Sequence, residues 1–199
     1  MKTPGFKKPA KGLIYIFIVA SVILTSCNGL PESAVQSDNK AEIYPQYDDI
    51  TIPFNIAPLN FSIVEQGESY ITRISSDNGD QLIIKGKDVK INLKKWKKLL
   101  ENNKNKKITI DIFIKNSGSW INYRNMIWKI AGEPIDKYVV YRYIQPLYTT
   151  YEDMSIRQRN LENFDLKIII DNRKLSSNAN PHCVNCHSFQ DYTIPETCR

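Results

Sequence analysis

Between residues 49 and 175 apolar side chains recur in short runs with a period of two, broken by turn residues, which is the pattern of half-buried strands. Residues 61–65, 70–75 and 81–85 alternate or run apolar, with Gly67 and the cluster Asn78-Gly79-Asp80 between them, and read as an antiparallel meander. The clearest strand is 107–115, which sets Ile108, Ile110, Ile112 and Ile114 on one face against Thr109, Asp111 and Phe113 on the other. Residues 93–102 break the pattern: Leu93, Trp96, Leu99 and Leu100 recur at helical spacing with lysines opposite, predicting one short amphipathic helix on the sheet. Residues 119–131 and 137–144 are strand-like and aromatic. Beyond Pro146 the chain reads as irregular, and 168–170 is the last strand expected. The expectation is a mainly β fold, a β-sandwich-like domain over 49–175 of about 125 residues, enough to bury a core of its own.

The start of the chain has a different character. Lys2, Lys7, Lys8 and Lys11 precede an uncharged apolar run over 13–24, too short to cross a bilayer, where about 20 apolar residues are needed. Residues 1–26 therefore read as a signal peptide. Leu24-Thr25-Ser26-Cys27 resembles the bacterial lipobox, which makes Cys27 the acylated first residue of the mature chain; an ordinary secretory signal and an uncleaved anchor are the weaker alternatives. Removing the four lysines before Cys27 leaves 23 basic against 21 acidic residues, so the net charge falls from +6 to about +2. A persistent basic face for nucleic acid is then lacking. Residues 27–48 are polar, with Gly29, Pro31 and Pro45, and read as a flexible tether between lipid and domain.

Candidate chemistry lies at the other end, in Cys183-Val184-Asn185-Cys186-His187. This CxxCH spacing supplies two thiols for the vinyl groups of haem and an adjacent imidazole for the iron, so Cys183 and Cys186 are candidate attachment residues and His187 the proximal ligand of a c-type haem. With four cysteines and two histidines in the chain, chance would produce the motif about once in a thousand such sequences. A signal for export agrees, because haem c is attached outside the cytoplasm. The alternatives are zinc held by His182, Cys183, Cys186, His187 and Cys198, which the adjacency of His182 and Cys183 makes awkward, and a disulfide or thioredoxin-like pair, for which the βαβ context is lacking.

A distal ligand is harder to find. His182 is too near the attachment site, which leaves Met154 or Met126, for each of which core packing is the plainer reading, or a five-coordinate iron. Only 12 residues follow His187, too few to enclose a haem, so the segment before the motif is expected to supply the pocket unless part of the pocket lies outside this chain. Lys94, Lys95, Lys97, Lys98, Lys104, Lys106 and Lys107 could meet anionic lipid or polysaccharide, although a solvated helix face is the plainer reading. The aromatics of 119–131 and 137–144 could line a sugar site but more often pack a sandwich.

Three groups of residues resemble one family together: Tyr44-Pro45-Gln46-Tyr47 with Ile52-Pro53 and Asn55-Ile56-Ala57-Pro58-Leu59-Asn60-Phe61; Gln158-Arg159-Asn160-Leu161-Glu162-Asn163-Phe164; and Cys183-Val184-Asn185-Cys186-His187-Ser188-Phe189. They resemble Bacteroidetes lipoproteins related to TolB, in which a sandwich-like domain and a CVNCHSF haem motif precede a long β-propeller with PD40-type repeats. The resemblance spans almost the whole mature chain. It implies haem c on Cys183, Cys186 and His187, and an N-terminal portion truncated before the propeller, since the family pattern continues past Phe189 and this sequence runs to Arg199. The function expected is that of a membrane-anchored haem lipoprotein of the cell envelope, periplasm-facing or in the outer membrane, serving electron transfer or redox sensing rather than catalysis. An envelope module binding glycan or protein, with haem structural or absent, is the alternative. Redox partner proteins and a membrane held through the lipid are the partners implied; nucleic acid is not.

Overall fold

A computed structural model of the chain describes residues 29–144 and 154–175. The strands are β1 (Val35–Lys40), β2 (Ile43–Tyr44), β3 (Thr51–Pro53), β4 (Phe61–Ile63), β5 (Ser69–Ser76), β6 (Gln81–Lys85), β7 (Asp88–Val89), β8 (Lys107–Asn116), β9 (Ser119–Arg124), β10 (Met126–Ala131), β11 (Tyr138–Tyr143), β12 (Ser155–Asn160) and β13 (Leu166–Asp171). Helix α1 (Leu93–Asn102) falls where the periodicity predicts it, and a single helical turn, α2 (Asn172–Leu175), follows β13. The fold is mainly β and forms no closed barrel.

Strand β8 organises the large sheet. One edge pairs along nearly its whole length with β5, from Ser69 opposite Lys115 to Ser76 opposite Ile108. The other edge is shared, with β9 opposite 113–116 and β10 opposite 107–110. Phe113 faces Asn122 and Ile110 faces Met126, so three residues, 123–125, stand opposite two. This one-residue bulge divides the stretch 119–131, which the sequence presents as continuous, and the outer neighbours change with it: β1 adds in parallel to β9 and β3 in parallel to β10. The β8–β9 connection is a two-residue turn at Ser117 and Gly118, both left-handed (φ 48° and 81°), whose twist matches that of the flanking strands.

The second layer is the small antiparallel sheet β2-β4-β7 with α1. The four alternating isoleucines of β8 are at most 2 % exposed and meet Ile43, Phe61, Ile63, Val89, Trp96, Leu99 and Leu100 from that layer. At the centre, fully buried Trp128 makes edge contacts with Tyr47, Phe61 and Trp96 at centroid distances of 6.2, 6.3 and 6.1 Å. Its indole N–H donates to the Tyr47 carbonyl at 2.6 Å. Helix α1 starts where the Asn92 side chain accepts the Lys95 N–H (3.1 Å), and it buries Trp96, Leu99 and Leu100. On the outer face of the sheet Arg73 and Asp111, cross-strand partners, form a bidentate-sided pair at 2.8 and 2.9 Å to one carboxylate oxygen.

Two expectations require correction. The stretch 27–48 is not a free tether throughout: Val35 pairs with Ile121 in β1 and Ile43 with Ile63 in β2, and Ala41 and Ile43 are buried. A polar sequence becomes strand here because the edges of β9 and β4 supply hydrogen-bond partners that local composition does not reveal. From residue 155 onward the chain is not irregular either, since β12 forms from Ser155 to Asn160 between β11 and β13, and β13 extends the expected strand at 168–170 in both directions.

Asp49, itself left-handed (φ 47°), fixes the bulge by accepting the Ile127 N–H (2.9 Å) while its other oxygen and Asp48 hold Lys40 at 2.6 Å. The Lys40 ammonium and the Ile127 amide lower the Asp49 pKa, and the two carboxylates raise that of Lys40. The Asp49 contribution to stability is complete above the ordinary aspartate value and fades as pH falls through its lower folded value. The Lys40 contribution is complete below the ordinary lysine value and fades as pH rises past it. Asp49→Asn is expected to flatten the acid limb of a stability–pH curve measured by urea unfolding. Trp128→Ala should cost about 3–5 kcal/mol in the same assay, because it empties the centre of the core, whereas half-buried Trp120→Ala should cost about 1 kcal/mol or less.

Candidate functional site

Strands β11, β12 and β13 form a third, antiparallel sheet whose residues lie outside the main core cluster. A bracket at residues 55–57 joins it to the rest. Asn55 accepts the Ile135 N–H (2.8 Å) and donates to the Ile135 carbonyl (2.9 Å) and to Glu162 (3.0 Å). The Ala57 N–H donates to the Leu161 carbonyl (2.7 Å), and the Ile56 carbonyl between them accepts the Trp96 indole N–H (2.9 Å). Two of the stretches that carry the family resemblance, 55–61 and 158–164, therefore meet in space.

The register sets the chemistry of the small sheet. Cross-strand partners share a face, so Val139, Arg159 and Leu166 form one row and Tyr141, Arg157 and Ile168 the next. The opposite face carries Ile156 and Asn160, both buried. In the outward rows Leu166 is 50 % and Ile168 49 % exposed, and Val139 is exposed beside them. Arg157 stacks 3.5 Å over the Tyr143 ring and donates to the Ser155 hydroxyl at 2.9 Å, while exposed Arg159 makes no ion pair among the described residues. This is an apolar surface with two guanidinium groups along its middle strand, on an edge strand that β12 alone flanks among the described residues. Arg157 and Arg159 escape a reading based on apolar alternation; the only signal is their own spacing of two in Ile156-Arg157-Gln158-Arg159.

All four cysteines and both histidines lie outside the described residues, so Cys27, His182, Cys183, Cys186, His187 and Cys198 carry no structural description. Met126 lies in the main core, 2 % exposed, packed on the inner face of β10; service as a distal ligand would require opening that core. Met154 is also buried, just before β12, with its carbonyl accepting the Asn172 N–H at 3.2 Å. Trp96 and Trp128 are fully buried and thus unavailable to a sugar. Lys94, Lys95, Lys97 and Lys98 are exposed on α1, and Lys104 pairs with Glu101 (2.6 Å) and lies 3.8 Å over the Phe54 ring. An open pocket of about 330 Å³ lies between β6 and the start of α1, lined in part by Lys85, Lys90 and Lys95. Among the described residues no helix is long and apolar enough to cross a membrane. Comparison of the chain with family models, curated proteins and solved structures finds no match.

Asn55→Ala would strand the Ile135 N–H and free Glu162, and is expected to cost about 1–3 kcal/mol. Hydrogen exchange should show the loss concentrated in the amides of β11–β13, with those of β8 little changed.

Proposed function

We propose that this chain is a membrane-anchored c-type haem lipoprotein of the cell envelope, serving electron transfer or redox sensing, and that it is related to the TolB-like lipoproteins it resembles. The donor set fits the group: Cys183 and Cys186 are spaced for thioether attachment, and His187 offers a nitrogen ligand to the iron. Bound there, haem would supply a one-electron couple. No acid–base partner is needed for that role.

The observation that carries the reading is the face of β11–β13, which is exposed among the described residues. A c-type haem needs protein against its macrocycle, and the segment before the motif offers such a surface. The last described residues before the motif present apolar Leu166 and Ile168 beside Arg157 and Arg159, a combination suited to an apolar ring with two carboxylates. Cys183 lies eight residue steps beyond Leu175, a reach of up to about 26–29 Å, against about 17 Å for the length of β13. The whole face is within range of the motif.

Expression with a c-type maturation system should give a haem-staining band on a denaturing gel and a pyridine haemochrome spectrum, both absent from Cys183→Ala/Cys186→Ala. Absence of haem from the parent chain would refute the reading. In the loaded protein Arg159→Gln should lower the reduction potential, because removing a nearby cation disfavours the reduced, less positive iron, and it should leave the unfolding midpoint nearly unchanged.

A further inference from the structure

The first described residue fixes where the chain meets its anchor. A Cβ placed on Gly29 would lie 3.8 Å from Ile83 Cγ2 and 3.8 Å from Lys85 Cε, so Gly29 rests against β6. Six residues later Val35 pairs with Ile121 in β9, on the far side of β5 and β8. The segment 29–35 thus crosses the large sheet from one side to the other, and it enters at β6. Cys27 precedes Gly29 by two residues, which allows about 7 Å of separation. Acyl chains on Cys27 would therefore hold the β6 edge at the bilayer surface, leaving no room for the domain to stand off.

That edge is basic. Among the described residues β6 pairs with β5 alone, leaving one side of its backbone without a strand. Beside it lies the pocket of about 330 Å³, with Lys85 from β6 and Lys90 and Lys95 from the approach and first turn of α1. All three are exposed, and none of their ammonium groups makes an ion pair or hydrogen bond among the described residues. Among the described residues no acidic side chain lines the pocket. Asn92 already caps the helix, so the three ammonium groups are the feature that would select a ligand. Leu82, Ile84 and Ile91 provide an apolar floor.

We infer that the β6–α1 edge is the membrane-facing surface of the protein and that the Lys85–Lys90–Lys95 pocket takes the headgroup of an anionic phospholipid. The inference rests on lipid attachment at Cys27. The acyl chains supply residence on the membrane; the lysines set orientation, each contributing roughly fivefold in affinity for an anionic surface and losing it within a screening length of about 10 Å at moderate salt.

The test uses the full acylated chain in phosphatidylethanolamine vesicles with or without phosphatidylglycerol, after mass spectrometry of the Cys27 peptide. Hydrogen exchange over residues 81–95 should slow several-fold in the anionic vesicles only. The effect should vanish in Lys85→Gln/Lys90→Gln/Lys95→Gln, while that variant still floats with the vesicles and its β8 amides exchange as in the parent. Equal exchange in both vesicle types, or unchanged protection in the triple variant, would overturn the orientation while leaving the lipoprotein intact. Protection that appears without vesicles and grows with protein concentration would assign the edge to a second copy and overturn it too. An unacylated Cys27 would overturn the anchor and the orientation together.

Discussion

Trp128 is the fixed point on which the rest of the molecule hangs. Three aromatic rings from three different parts of the chain meet it edge-on, and its only polar atom is satisfied by the Tyr47 carbonyl. An aromatic ring at the centre of a two-layer core stabilises both through buried area and through the geometry its quadrupole favours. The second tryptophan extends the constraint: Trp96 packs on Trp128 and donates to Ile56, and the residues on either side of Ile56 hold the β11–β13 sheet. A continuous chain of contacts thus runs from the centre of the core to the surface that precedes the CxxCH motif.

The bulge opposite Asp111 and Ile112 matters for the same reason. It turns one long strand into β9 and β10, so that a single edge of β8 supports two antiparallel neighbours, each of which takes a different parallel strand beyond it. β1 is polar and β3 is only three residues long, and neither would persist without an edge prepared for it. Through them residues 35–53 are tied to the large sheet, with Asp49 and Lys40 acting as the clasp. The result is that the described body begins at Gly29, two residues after the proposed acylation site Cys27.

The two proposed chemistries sit at opposite ends of the sequence, and the folded body relates to each in a different way. At the N-terminus the separation between Cys27 and Gly29 is so short that acyl chains on Cys27, if attached as proposed, would leave the β6 edge little freedom relative to a bilayer. At the C-terminus the spacing of eight residues between Leu175 and Cys183 is long enough to let a covalently held group fold back on β11–β13. An exposed apolar edge strand is a liability unless something covers it, and a haem tethered nearby would answer that need.

The sequence by itself determined the elements whose residues carry their own instructions. The isoleucine alternation of β8 specifies a strand and its buried face, the spacing of Trp96, Leu99 and Leu100 specifies α1, and five consecutive residues define the candidate haem motif. Only the tertiary structure decided β1, β2 and β12, because polar segments such as Ser155-Ile156-Arg157-Gln158-Arg159-Asn160 become strands when neighbours offer an edge, and that offer depends on residues far away in sequence. The same reason governs the surfaces. The rows that set Arg157 and Arg159 among Val139, Leu166 and Ile168, and the pocket that gathers Lys85, Lys90 and Lys95, are products of register and crossing, which local chemistry leaves open and long-range pairing fixes.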